Sequence, residues 1–390
     1  MRVAIVGGGA VGSATALFLK RLGGAGVEVL LVEPDPGLAQ ASSALSAGSI
    51  RQQFSNAINV RMSQFGQSML ADATAELGVD GEPVDLGYVP SGYLFLASAA
   101  GVPVLRANHA VQRALDAPVA LLAPDELSRR FAWLNVEDLA LASLGLDGEG
   151  WFDGYAFARA LARKAVALGA KPQKARVIGF DLNGPRVSAA RLDDGRRLEA
   201  DAFVNAAGPW ARGVAALAGI ELPVRARRRT VFNFSCPTPL PRTPLVIDTT
   251  GVWFRSEGPH FIGGWSPGAG DGDPDDLPLD QPDLAQFDER LWPALAHRVP
   301  AFEALRMRHA WAGYYEVSTL DHNAIIGPHS AVENLVFANG FSGHGLQHAP
   351  AAGRGVAEWL LHGRYQSLDL GCFGWQRVLE NRPFLEQAVI

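Results

Sequence analysis

Apolar positions along the first part of the chain change spacing twice. Val3-Ala4-Ile5-Val6 is a continuous apolar, β-branched run, the pattern of a buried strand. Gly7-Gly8-Gly9 interrupts it, and residues 10–22 are rich in helix formers, closed by Gly23, Gly24 and Gly26. Val27 to Val32 is a second apolar run, ended by Glu33-Pro34. Strand, turn, helix and strand in this order predict a right-handed βαβ unit with parallel strands.

Further along the pattern becomes mixed. Residues 41–77 are expected to be mainly helical after a loop. Tyr93-Leu94-Phe95-Leu96 is expected as a strand, residues 105–115 as a helix, and Ala123 to Leu127 as a helix start with Asp125 as its cap. Residues 155–168 show strong helical amphipathicity. Residues 175–180, 186–192 and 197–198 predict a small meander with turns at Asn183-Gly184-Pro185 and Asp193-Asp194-Gly195. Ala202 to Ala206 is a buried strand, and residues 221–315 form a long β-rich stretch with a Gly-, Asp- and Pro-rich loop over residues 268–282. Leu335 to Ala338 is a last buried strand, followed by a helix over residues 346–361. No internal repeat is visible.

The Rossmann-like pieces are scattered, so the expected fold class is α/β plus α+β. A discontinuous Rossmann-like cofactor domain (residues 1–82, 149–218 and 319–390) would carry an inserted antiparallel β-rich substrate domain (83–148 and 219–318). Length agrees: 390 residues suffice for about two domains.

Composition narrows the function classes. Hydrophobic content is 48% and charged content 19%, as in globular chains. A net charge of −6 gives no counterion-release advantage on nucleic acid, so no nucleic-acid partner is expected. The one basic run, Arg225 to Arg229, is expected as a solvated strand edge or an inter-domain bend. Cys236 and Cys372 offer neither a disulfide framework nor metal-ligand spacing. His344 and His348 stand four apart without a carboxylate between them, and no metal is expected. No export signal and no apolar run of about 18 residues are seen, so a cytoplasmic protein without a membrane span is expected.

Gly7-x-Gly9-x-x-Gly12 follows a strand and opens a helix. The first glycine permits the tight turn, the second lets backbone approach a pyrophosphate, and the third lets helix and strand pack closely. Phosphates then meet free N–H groups at the positive end of a helix. Glu33, at the end of the second strand, can take both hydroxyls of an adenosine ribose. This motif alone does not separate FAD from NAD. Ala41-Ser42-Ser43, Asn205-Ala206-Ala207-Gly208 and Gly343-His344-Gly345 offer further hydroxyls, small residues and a helix start. They converge only around one extended ligand, which points to FAD.

These motifs resemble the D-amino-acid-oxidase-like flavoprotein family, the group with sarcosine oxidase, glycine oxidase and dimethylglycine dehydrogenase. The markers are Gly7 to Gly12 with Glu33, Ser42-Ser43, Val204 to Trp210 and Gly340 to Gln347, and they span nearly the whole chain. Ile50 to Ser55, Pro90 to Leu94, Trp311 to Tyr315 and Gly340 to Pro350 look closest to the FAD-dependent oxidoreductase domain-containing branch, which includes a mitochondrial protein tied to complex I assembly.

The resemblance implies noncovalent FAD and oxidation of a C–N bond in a small amine or amino acid, with oxygen or a redox partner as electron acceptor. Gly7, Gly9, Ala10, Val11 and Gly12 would hold the pyrophosphate, Glu33 the ribose, and Ser42 and Ser43 further phosphate contacts. Gly48, Ser49 and Ile50 would pass beside the flavin ring, and Val177 would hold adenine. Ala206, Ala207, Gly208 and Trp210 would line the cofactor, and Gly343, His344, Gly345, Leu346 and Gln347 would approach the flavin's pyrimidine edge. Sarcosine oxidase links its flavin to a cysteine where this chain has Gly313. The relatives' oxygen-activating lysine has no match around residues 261–265. Gln347 stands where sarcosine oxidase has a lysine, and Tyr315 near where glycine oxidase has an arginine. These departures weigh against rapid oxygen reactivity and glycine-like substrates.

Arg51 and Arg255 are candidates for a substrate carboxylate, which a guanidinium grips in two places. Tyr315 and Tyr93 are candidates for the pocket wall, and His344, if charged, for stabilising negative charge on reduced flavin. The alternative reading is a flavin-bearing assembly protein with little catalysis.

Overall fold

The computed structural model describes residues 1–268 and 270–388. A six-stranded sheet runs in the order Ile325–Pro328, Leu335–Asn339, Ala202–Asn205, Arg2–Val6, Glu28–Val32, Lys171–Gln173. Its strands are parallel except Ile325–Pro328, which pairs antiparallel with Leu335–Asn339 at one edge. Period-two alternation gives the sheet two apolar faces. Val3, Ile5, Val29, Leu31 and Val204 pack on helices Ala10–Gly23, Gly154–Ala167 and Gly345–His362. Ala4, Val6, Leu30, Val32 and Phe203 pack on the meander of strands Val177–Asn183, Arg186–Leu192 and Arg197–Glu199. Burial on both faces explains the nearly unbroken apolar runs.

An eight-stranded sheet joins Arg306–Ser318, Val224–Ser235, His260–Trp265, Val252–Glu257, Leu245–Ile247, Tyr93–Ala97, Leu141–Gly145 and Val119–Leu122 in that order. It is antiparallel except for one parallel pair, Leu245–Ile247 with Tyr93–Ala97. The architecture is thus a Rossmann-like layer drawn from three separated stretches of chain, with a β-rich layer beside it. No helix among the described residues is long and apolar enough to cross a membrane.

Several expectations need correction. The stretch 221–315 is not continuously β: a π turn, Phe287–Leu291, runs into the helix Trp292–Arg298. Residues 46–56 are not helical and include the short strand Ser49–Ile50. Asp125 is not a cap. Pro124 fixes the first helical position, so Ala123 precedes the helix, and the Glu126 carboxylate accepts from the Ala123 N–H at 3.1 Å. The Arg225–Arg229 run lies in an interior strand, not at a solvated edge. Arg225 and Arg227 pair with Asp275, and Arg229 grips Asp273 through both terminal nitrogens at 2.7 and 2.9 Å. The loop over residues 268–282, apart from residue 269, is thereby tied down.

The C-terminal segment reaches back across the fold. The buried Glu386 carboxylate accepts from Ser55 N and Oγ, from Asn56 N and Nδ2 and from Asn59 Nδ2, at 2.6–3.3 Å. It sits at the start of helix Ala57–Ala71, where the dipole favours an anion. Glu386→Ala leaves these donors without their acceptor. A stability loss of about 2–4 kcal/mol is expected, checked by chemical denaturation; an unchanged midpoint would show the tail to be incidental.

Candidate functional site

The strand ends of both sheets open onto one cavity of about 950 Å³, in the upper range for cofactor sites. Its wall contains the first glycine turn (Gly7, Gly9, Ala10, Val11), Glu33, Ser42, Ser43, Gly48, Ser49, Val177, Ala206, Ala207, Gly208 and Trp210. Gly313 and Gly343 to Gln347 are in the same wall, with Arg51, Tyr93 and Tyr315. The late Gly-His-Gly turn and the N-terminal glycine loop therefore face one space.

Local geometry explains the turn. Gly7 has φ +107°, and a Cβ there would lie 2.3 Å from the Ala206 carbonyl oxygen. Gly12 does not line the cavity; its Cβ position would lie 1.9 Å from the Gly7 carbonyl oxygen, so its lack of a side chain lets helix and turn close up. The helix Ala10–Gly23 has no side-chain cap and no acid in its first turn, leaving its N–H groups for an anion. Glu33 is oriented by the Gly8 and Asp35 amides at 2.8 and 2.9 Å, and burial raises its pKa. The Ser43 hydroxyl is buried in the wall without a partner, whereas the Ser42 hydroxyl donates to the Tyr314 carbonyl at 2.7 Å. A free hydroxyl, a glycine cradle and a fixed carboxylate suit a dinucleotide.

At the other end stands Arg51, only 1% exposed. Its guanidinium donates to the Gln53 and Ala388 carbonyls and to His344 Nε2, the last at 3.0 Å, and lies 4.0 Å over the Phe54 ring. No carboxylate among the described residues ion-pairs with it directly; burial lowers its pKa, opposed at longer range by Tyr93, Glu386 and Glu149. The Arg51 N–H donates to Gln347 Oε1 at 2.8 Å, which ties the arginine to the helix start at Gly345.

His344 departs from the expected cation. Burial, with Arg51 beside it, holds its pKa well below the ordinary 6.5. Because a guanidinium only donates, Nε2 accepts and the ring proton is on Nδ1. Gly343 has φ +87°, and a Cβ there would fall 2.3 Å from the Tyr315 ring, so only glycine lets the loop close on the tyrosine.

Besides Gly12, two candidates lie outside the wall. Ile50 is fully buried in its short strand. Arg255 is corrected from a carboxylate ligand to a structural cation: Glu257, two residues on and on the same strand face, takes its guanidinium, with the Ala47 carbonyl at 2.8 Å and Trp151 beneath at 4.8 Å. The four lysines (Lys20, Lys164, Lys171 and Lys174) are all absent from the described wall, as are both cysteines.

Two buried carboxyls were not anticipated. Glu316 lines the cavity, and burial raises its pKa to about 7. Glu149 lies behind Arg51, accepting from Gln52 N at 2.6 Å and Gln53 Nε2 at 2.8 Å, and burial raises it from 4.5 to about 7. Folding favours the protonated form of Glu149. Its contribution is present in full below about 4.5 and is lost as pH rises through about 7. Glu149→Gln should remove a pH-dependent part on the order of 3 kcal/mol. Denaturation midpoints at pH 5.5 and 8 check this; equal pH slopes in both proteins would rule it out.

A glycine-rich βαβ turn, a ribose-type carboxylate and a distant helix start around one cavity define a dinucleotide-dependent oxidoreductase. The chain belongs to the DAO family, FAD dependent oxidoreductases, whose model matches residues 2–359. It is 40% identical to FAD-dependent oxidoreductase domain-containing protein 1 of Xenopus laevis, covering 100% of this chain and 84% of that one. For the Bos taurus protein of the same name the identity is 41%, with 100% and 87% covered. Among solved structures, L-proline dehydrogenase from P. horikoshii matches with TM-score 0.85 and 26% identity over 98% of each chain. Glycine oxidase from Geobacillus kaustophilus matches with TM-score 0.79 and 25% identity, covering 96% of this chain and 98% of that one.

Proposed function

We propose that the protein oxidises the C–N bond of a small amino acid, with noncovalent FAD in the cavity and the substrate carboxylate on Arg51. The observation that carries the reading is Arg51 itself: a buried cation in the cavity wall without an anionic partner among the described residues. Such a group is expensive to bury and is stabilised by a ligand carboxylate. The solved relatives named for L-proline and glycine agree with an amino-acid substrate.

The chemistry supplied by bound FAD is acceptance of a hydride equivalent from the carbon beside nitrogen. The protein's part is orientation and electrostatics. Arg51 fixes one end of the substrate. Tyr93, buried, and Tyr315, half-buried, both have raised pKa values, keep their phenol protons and wall the space beside Arg51. The helix from Gly345 turns its positive end toward the cavity, where negative charge on a reduced ring is stabilised. The division into cofactor segments (1–82, 149–218, 319–390) and substrate segments (83–148, 219–318) is supported by the strands each sheet draws on.

The test is anaerobic bleaching of the purified yellow protein by a panel of L- and D-proline, glycine, sarcosine and dimethylglycine, beside pyrrolidine, which lacks the carboxylate. Bleaching by a carboxylate-bearing amine and not by pyrrolidine is expected. No bleaching by any of them would overturn the reading in favour of a flavin-bearing assembly protein.

A further inference from the structure

The Glu316 carboxyl has no role in the reading above. It belongs to strand Arg306–Ser318 and is 8% exposed. Its Oε2 is buried without a hydrogen-bond partner. The Gly340 and Phe341 amides, in the loop before helix Gly345–His362, favour its charged form against the effect of burial. Two glycines leave room around it. A Cβ on Gly345 would lie 3.4 Å from Oε1, and one on Gly208 would lie 3.8 Å from Oε2. Both glycines and Glu316 face the cavity. The carboxyl thus stands where the strand end at residues 205–208 meets the late helix start, in the same wall as the pyrophosphate turn and Arg51.

We propose that Glu316 serves the cofactor as a neutral carboxylic acid, its Oε2 hydroxyl donating a hydrogen bond to a phosphate oxygen in the linker of FAD. Backbone amides donate and cannot accept, so a neutral acid beside them can carry its proton on the unpartnered Oε2. The phosphate oxygens of that linker are anionic and only accept, so there a donor is rewarded and a second anion is repelled.

The surroundings supply no competing charge. On the neighbouring strand, Ala226 stands opposite Glu316, while Arg225 and Arg227 pair with Asp275 and Asp273. At the late helix start, His344 is neutral. Tyr315 on its own strand is protonated, and Arg212, after Gly208, lines the cavity without contributing to the shift of Glu316. Burial is the largest influence on Glu316 and holds its pKa near 7. Loss of the proton above that pH therefore replaces a donor with a charge facing the linker.

The experiment is titration of FAD into apoprotein from pH 6 to pH 8.5, followed by quenching of flavin fluorescence, for wild type, Glu316→Gln and Glu316→Leu. Wild-type affinity is expected to fall roughly tenfold across the range. Glu316→Gln, whose amide still donates, is expected to bind without that slope. Glu316→Leu is expected to bind roughly tenfold more weakly at pH 6. Parallel slopes in wild type and Glu316→Gln would overturn the proposal, as would Glu316→Leu binding FAD like wild type. Should Glu316→Leu fail to fold by circular dichroism, the comparison with Glu316→Gln still decides. FAD binding is read directly, so failure here leaves the amino-acid reading untouched.

Discussion

Replacing Arg51 by methionine is expected to weaken binding of a carboxylate-bearing substrate about 100-fold while leaving FAD bound. Hydrogen bonds to a charged group contribute about 1.5–3 kcal/mol each, and beyond its existing partners the Arg51 guanidinium keeps one Nη1 hydrogen and the Nε hydrogen for a carboxylate. The side chain lines the cavity but already spends donors on Gln53, Ala388 and His344, so it is oriented before the ligand arrives. Pre-orientation reduces the entropy lost on binding. Methionine fills similar space without charge. Arg51→Lys separates charge from shape: an intermediate loss is expected, because an ammonium keeps the charge but not the planar guanidinium that Gln53, Ala388 and His344 hold in place. The measurement is the concentration dependence of anaerobic flavin reduction, with flavin content determined first. If both variants saturate at wild-type substrate concentrations, the carboxylate is held elsewhere.

What the sequence disclosed follows from how local each constraint is. The pyrophosphate turn is written in six consecutive residues, and Glu33 closes the very next strand, so periodicity and glycine spacing suffice. The late strand and helix around Gly343 are equally contiguous. Arg255 was misjudged because sequence shows that a strand carries an arginine but not what lies beside it; Glu257, on the same face, captures it first. The helix Trp292–Arg298 left a signal that the β-rich texture around it masked. Phe287, Leu291, Leu295 and Val299 recur every fourth residue, and all four are buried against the phenylalanine-rich core of the large sheet. Strand Ile325–Pro328 is short and at an edge, so little pattern accumulates. Glu316, Glu149 and Glu386 were invisible for a different reason. A carboxylate is ordinarily a surface residue, and its burial depends on amides and side chains far away in the chain.

Gly7→Ala should give protein that purifies nearly free of flavin. Two penalties act together. The backbone at Gly7 has φ +107°, outside the region that side-chain-bearing residues tolerate, at about 1–3 kcal/mol. The added Cβ would also lie 2.3 Å from the Ala206 carbonyl oxygen and 2.9 Å from Ala207 Cα, both backbone atoms. Relief requires moving the Arg2–Val6 and Ala202–Asn205 strand ends apart, and residues at both ends line the cavity. Gly24→Ala carries the first penalty alone. Gly24 also has positive φ, +52°, but nothing lies within 4 Å of its Cβ position, and it follows the helix end away from the cavity. Gly24→Ala is therefore expected to lose some thermal stability and keep its flavin. The flavin-to-protein absorbance ratio of the two variants decides the matter. A yellow Gly7→Ala protein would show that the Gly7–Ala206 approach does not shape the FAD site, since strain alone is common to both substitutions.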